Sequence, residues 1–279
     1  MNRTKNIHVS DTAFVTCGFR RLNEALSGDS YAKLWYNSKA EIILKDYLAA
    51  VSTEEINTHC IRNRFFLETI KTVVKENKIE VLINFGAGFS MYPFLLSEKL
   101  LHIEIDKPEL VKHKSKKIQQ WVKDYKLPAR KINFIGIDFS EKYENQLRQE
   151  LKEFVGEKKC FILIEGVLFF LNTNEINRLF SLFNTIQSIG DYIGSVSYTH
   201  NIKTTDAYTR LIKYATQGVK DASNDGFQTI EHEFYKTLKN YKLINHQDYF
   251  SCSEVYNNQP KCEKTNILNE HFYILKKQK

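Results

Sequence analysis

The chain has 279 residues, a hydrophobic fraction of 42%, a charged fraction of 26% and a formal net charge of +7. These proportions suit a globular enzyme and exclude a fibrous or low-complexity chain. No apolar run approaches the roughly 20 residues needed to cross a bilayer, and no membrane partner is expected.

The N-terminal MNRTKNIHVSDTAF has basic residues but no apolar stretch of a secretory signal, so a cytosolic (cytoplasmic) protein is expected. Cys17, Cys60, Cys160, Cys252 and Cys262 form no CxxC pair. Reduced thiols are therefore expected, with no zinc cluster and no metal site.

Residues 1–75 read as helical. Tyr31–Val51 and Ile56–Val74 carry apolar residues at helical spacing without strand-like alternation. Gly28-Asp29-Ser30 breaks the first helical stretch, and Asp29 or Ser30 is positioned to cap the next.

Beyond residue 78 the pattern changes. Short apolar runs at Glu80–Asn84, Leu101–Asp106, Lys131–Ile137, Cys160–Glu165 and Asp191–Tyr198 alternate with amphipathic segments near 91–99, 108–125, 141–155 and 173–189. Strands alternating with helices of this length predict βαβ units and a parallel sheet. The continuously apolar strands predict a sheet covered on both faces. A helix near 230–241 precedes two further runs, Lys242–Phe250 and Glu270–Lys276, which predict an antiparallel closing hairpin. The span between them (SCSEVYNNQPKCEKTNILN) reads as an exposed loop.

The expected fold class is therefore α/β: a doubly wound, mostly parallel, seven-stranded sheet with an N-terminal helical cap. The whole chain, 1–279, reads as one domain, with a cap over 1–75, a core over 76–279 and a substrate-facing insertion near 198–230.

The first strand runs into Asn84-Phe85-Gly86-Ala87-Gly88-Phe89-Ser90. Two glycines in a strand-to-helix turn let a ligand approach the backbone at the carboxyl edge of the sheet. Asp106 ends the next strand about 20 residues beyond Gly86, the spacing at which an acid hydrogen-bonds a ribose. This fits either NAD or S-adenosylmethionine. Met91 stands where a third glycine would be, which disfavours NAD. Asp138 and Glu165 also follow strands, so four strand ends deliver Gly86/Gly88, Asp106, Asp138 and Glu165 to one rim. The lysine-rich Val111–Lys131 offers either a nucleic-acid patch or a solvated helix face. Without an accompanying motif the solvated face is the better reading, and nucleic acid is not an expected partner.

These segments resemble a known family. IEVLINFGAGFSMYPFLL is similar to the first motif of the leucine carboxyl methyltransferase family, which includes polyketide O-methyltransferases. LHIEIDKPELVKHKSKKI resembles its second motif, and FILIEGVLFFLNTNEINRLF its Glu-Gly-x-Leu-x-x-Leu motif. SDTAFVTCGFRR, GDSYAKLW and HCIRNRFFLETI resemble its upstream segments, although Ser30 replaces the usual proline and Ser90-Met91 the usual Asp-Thr.

The resemblance implies a class I methyltransferase with S-adenosyl-L-methionine as cofactor. Arg62 would bind the methionine carboxylate, with Arg64 as the alternative register. Gly86, Ala87 and Gly88 would admit the methionine portion. Asp106 would hold the ribose, Asp138 and Phe139 would flank the adenine, and Glu165 would lie beside the methionine amino group.

The expected reaction is O-methylation of a carboxylate or hydroxyl on a small-molecule acceptor. A protein C-terminal carboxylate and a non-catalytic cofactor-binding role are the alternatives. An NAD(P)-linked oxidoreductase is a further rival. A carboxylate is ionised at neutral pH, whereas a hydroxyl gains from a general base. His200, after the fifth strand, is the candidate base, and His232 is the weaker one. Phe14, Phe19, Tyr31, Trp35, Tyr36, Tyr198, Tyr208 and Tyr214 suit an apolar acceptor, but equally a core.

Overall fold

A computed structural model describes residues 9–139, 141–216 and 227–279. Residues 217–226 of the expected insertion lie outside the described residues.

Among the described residues, four α-helices precede the first strand: α1 (Val9–Leu22), α2 (Glu24–Ser27), α3 (Ser38–Ala50) and α4 (Glu55–Asn77). Gly28 ends α2 in the left-handed region, at φ +68. Asp29 Oδ1 then accepts from the backbone N–H of Tyr31 and Ala32, capping the 3-10 turn of Ala32–Trp35. The helix expected from Tyr31 starts only at Ser38. Asn37 caps it by accepting from the backbone N–H of Lys39 and Ala40.

The βα units follow as β1 (Val81–Phe85), α5 (Tyr92–Leu95), β2 (Leu101–Asp106), α6 (Pro108–Lys123), β3 (Ile132–Gly136), α7 (Glu144–Val155), β4 (Cys160–Ile164), α8 (Thr173–Ile186) and β5 (Tyr192–Ser197). The chain ends with α9 (Asp206–Thr216), α10 (His232–Thr237), β6 (Tyr241–Asp248), α11 (Tyr249–Val255) and β7 (His271–Lys277). The helix expected over 91–99 closes after one turn. Leu96 is extended, and a turn joining Ser97 O to Leu100 N feeds β2.

The strands form a seven-stranded sheet in the order β3-β2-β1-β4-β5-β7-β6. The first five are parallel, and β7 is antiparallel to both β5 and β6. This is the doubly wound, mostly parallel arrangement expected from the sequence. Both faces are apolar: Val81, Ile83 and Phe85 pack toward α7 and α8, while Leu82 packs toward α4.

The span between the last two strands departs from expectation. It contains α11, and it buries Cys252, Ser253, Ile267 and Leu268. Cys252 and Ile267 pack with α4, and Leu268 packs with Val51 and Tyr208, so the span is partly packed rather than wholly an exposed loop.

Candidate active site

The parallel strands place their carboxyl ends on one rim, with β1 between β2 and β4. The glycine turn therefore has Asp106 on one side and Glu165 on the other. Gly86 (φ +73) and Gly88 (φ +45) occupy the left-handed region that L side chains resist. A Cβ on Gly86 would lie 2.0 Å from Val167 Cγ2, so the turn packs directly on the Glu165-Gly166-Val167 segment. A Cβ on Gly88 would meet only Ala13 Cβ, at 3.7 Å.

The turn is held by its neighbours. Gly86 and Ala87 donate their N–H groups to Ile105 O at 2.8 and 3.0 Å. Gly88 N–H donates to Asp106 Oδ2 at 2.7 Å, and Lys107 N–H donates to Oδ1 at 2.7 Å. Burial raises the Asp106 pKa, while these two N–H donors oppose the shift.

Arg62, on α4, is 5% exposed. Its Nε donates to Glu165 Oε1 at 2.8 Å and its Nη1 to Glu270 Oε1 at 2.5 Å. Tyr92 donates to the other Glu165 oxygen at 2.9 Å. Glu270 Oε2 is buried without a hydrogen-bond partner. Burial raises the Glu270 pKa and Arg62 opposes it. Arg64 lies elsewhere, half-exposed and paired with Glu68 at 3.1 Å.

Arg62, Glu165, the glycine turn and Asp106 thus occupy adjoining parts of one rim. Asp138 also follows a strand there, and it is exposed. Phe139 turns inward, its ring 5.2 Å from that of Phe85. His200 begins a 3-10 turn after β5, is exposed, and pairs through Nδ1 with Glu231 at 2.5 Å.

Sequence reasoning missed Glu270, Tyr92 and Arg20. Glu270 opens the last apolar run, so only an acid beside a strand start marked it. Arg20 joins Asp29 at 2.9 Å and donates to Phe89 O at 3.1 Å, tying α1 to the glycine turn. Of the aromatic residues, Phe19, Trp35, Tyr208 and Tyr214 are buried. Trp35 stacks on Phe89 with centroids 4.1 Å apart. Tyr36 is exposed.

The sequence profile of leucine carboxyl methyltransferases matches residues 21–184. The chain belongs to the leucine carboxyl methyltransferase family. Its matched region contains the glycine turn, Arg62, Asp106 and Glu165, and the family's cofactor is S-adenosylmethionine. A comparison with curated proteins finds no match.

Solved structures with the same fold include a DUF574 family protein from Streptomyces avermitilis. It is 10% identical with a TM-score of 0.67, covering 98% of each chain. A proposed methyltransferase from Thermobifida fusca is 10% identical with a TM-score of 0.66, covering 96% of this chain and 94% of its own. Magnesium protoporphyrin IX methyltransferase from Synechocystis, solved with bound SAH, is 10% identical with a TM-score of 0.50, covering 88% of this chain and 97% of its own. At these identities the likeness is one of fold.

The residues of this family member fit an adenosyl amino acid. The backbone at Gly88 is open where a side chain would intrude, and it lies beside a carboxylate. On its other side, Arg62 of α4 is a buried cation between two carboxylates, Glu165 after β4 and Glu270 before β7, and Glu270 keeps an orphaned oxygen. Such a mixed group suits a zwitterion. Among the described residues no helix is long and apolar enough to cross a membrane.

Proposed function

We propose that this methyltransferase family member is an O-methyltransferase that transfers a methyl group from S-adenosylmethionine to a carboxylate or hydroxyl of a small-molecule acceptor. The observation that carries the proposal is the rim itself: one glycine turn flanked by Asp106 and by the Arg62–Glu165–Glu270 group.

When bound, the sulfonium supplies an activated methyl group, so the protein's part is to position and to exclude water. Asp106 accepts from the ribose hydroxyls. Gly86, Ala87 and Gly88 leave room for the methionine chain. Arg62 neutralises the methionine carboxylate, while Glu165 and the unpaired oxygen of Glu270 take the ammonium. Asp138 and Phe139 border the adenine.

The helices before residue 75 act as a cap over this rim, consistent with the Arg20 and Trp35 contacts to Phe89. A carboxylate acceptor needs no base. For a hydroxyl acceptor, His200 is the base, with Glu231 orienting its ring.

Calorimetric titration with S-adenosylhomocysteine and with NADH tests the cofactor reading. Binding of the first alone supports it, and binding of NADH alone overturns it. A screen of carboxylate and hydroxyl acceptors with mass detection of a 14-dalton gain, roughly one methylene, then tests O-methylation. Transfer only to a peptide C-terminus would favour a protein acceptor. Tight cofactor binding without transfer to any acceptor would favour a non-catalytic role.

A further inference from the structure

Three histidines from three separate elements meet on one face of the sheet. His232 opens α10, His246 lies on β6 and His271 begins β7. Each offers one ring nitrogen, and these three atoms all lie within 4.8 Å of one another. His246 Nε2 and His271 Nδ1 are 3.1 Å apart. The His232 ring centroid lies 4.3 Å from that of His246 and 5.0 Å from that of His271. All three residues are half-buried.

Strand alternation separates this group from the site described above. On β7, Phe272 and Ile274 pack toward α4, whereas Tyr273 and Leu275 pack toward α8 and α10. Glu270 reaches Arg62 on the α4 side, so His271, one residue on, faces the other side. The family assignment makes no use of these histidines.

The spacing is close to what a metal requires. Tetrahedral zinc with metal–nitrogen bonds of about 2.0–2.1 Å sets ligand nitrogens roughly 3.3 Å apart. The His246–His271 pair is already near this value, and the third nitrogen needs an approach of at most about 1.5 Å, within reach of side-chain rotation. Outer support is present as well. His232 Nδ1 is hydrogen-bonded to Tyr273 OH at 2.6 Å, which fixes the ring and leaves Nε2 available. Three imidazoles without a thiolate suit zinc, copper or nickel more than calcium or magnesium.

We propose that His232, His246 and His271 form a binding site for a divalent transition-metal ion of the zinc class, with a fourth position left to water. The ion would join α10, β6 and β7, adding to their packing, their strand pairing and the His232–Tyr273 hydrogen bond.

The test uses the full chain, treated with chelator and desalted. Calorimetric titration with zinc chloride should give one ion per chain at micromolar or tighter affinity. Cobalt(II) should give visible d–d bands without the near-ultraviolet charge-transfer band of a thiolate, which separates this site from the five cysteines. His246→Gln/His271→Gln should weaken zinc binding by on the order of 100-fold, with folding verified by circular dichroism. If that variant does not fold, His232→Ala, outside the β6–β7 pairing, should still lower the affinity at least tenfold. Absence of zinc binding, a thiolate band with cobalt, or unchanged affinity in the variant that folds would overturn the proposal.

Discussion

Arg62 Nη1 and Glu270 Oε1 are 2.5 Å apart, although 208 residues separate them in the chain. The same guanidinium holds Glu165, so one buried cation ties α4 to the end of β4 and the start of β7. Removing it would strand two buried carboxylates, at a cost of about 3–5 kcal/mol in stability. Arg62→Ala should therefore lower the unfolding midpoint and weaken S-adenosylhomocysteine binding at least tenfold. Arg64→Ala, which loses only a surface pair, should change both little. Chemical denaturation and calorimetry on both variants check this. Equal effects would remove Arg62 from the cofactor site.

The contact of Gly86 with Val167 leads to a second expectation. Gly86→Ala places a methyl 2.0 Å from Val167 Cγ2 on a backbone with φ +73. The left-handed conformation alone costs roughly 1–3 kcal/mol for a non-glycine residue. Cofactor binding should be lost, and Val167→Ala in the same chain should restore only part of the stability, because it relieves the clash but not the torsion. Full restoration would mean that packing alone requires the glycine.

Glu55, at the start of α4, is buried beside Tyr47, whose hydroxyl donates to Oε2 at 2.9 Å. Burial, then the charge of Glu270, raises its pKa from 4.5 to about 8. The folded state thus keeps a proton that the unfolded chain loses above about 4.5. Its contribution is fully present below that pH and is lost as pH rises through about 8. The amount is on the order of a few kcal/mol. Buried His59, whose pKa is lowered by desolvation, acts in the opposite sense at acid pH. The comparison with Glu55→Gln isolates Glu55. The variant should lack this decline, so denaturation midpoints of the two proteins should diverge from pH 5 to 8. Parallel curves would show that Glu55 is ionised when folded.

His200 separates the two acceptor classes. If the acceptor is a hydroxyl and His200 is the base, His200→Ala should slow transfer by on the order of 10²–10⁴-fold. If the acceptor is a carboxylate, the substitution should change little and the rate should stay flat between about pH 6 and 8, because carboxylates titrate near ~4. S-adenosylhomocysteine affinity, measured in parallel, should not change in either case.

The sequence by itself determined the alternation of strands and helices, the glycine turn and the acids at strand ends. Each is a local pattern. Val81–Phe85 is apolar throughout because both sheet faces are covered, and Gly86 and Gly88 stand where the backbone takes positive φ. Tertiary structure decided what depended on distant partners. The lysine-rich helix α6 reads as solvated, yet Lys114 turns inward to Glu104 at 2.7 Å, with both side chains 1% exposed. Only the pairing of β7 between β5 and β6 brings Glu270 to Arg62 and His271 to His246. Such contacts leave no period in the chain, because they are set by which strand adds to which edge and by the face each residue then presents.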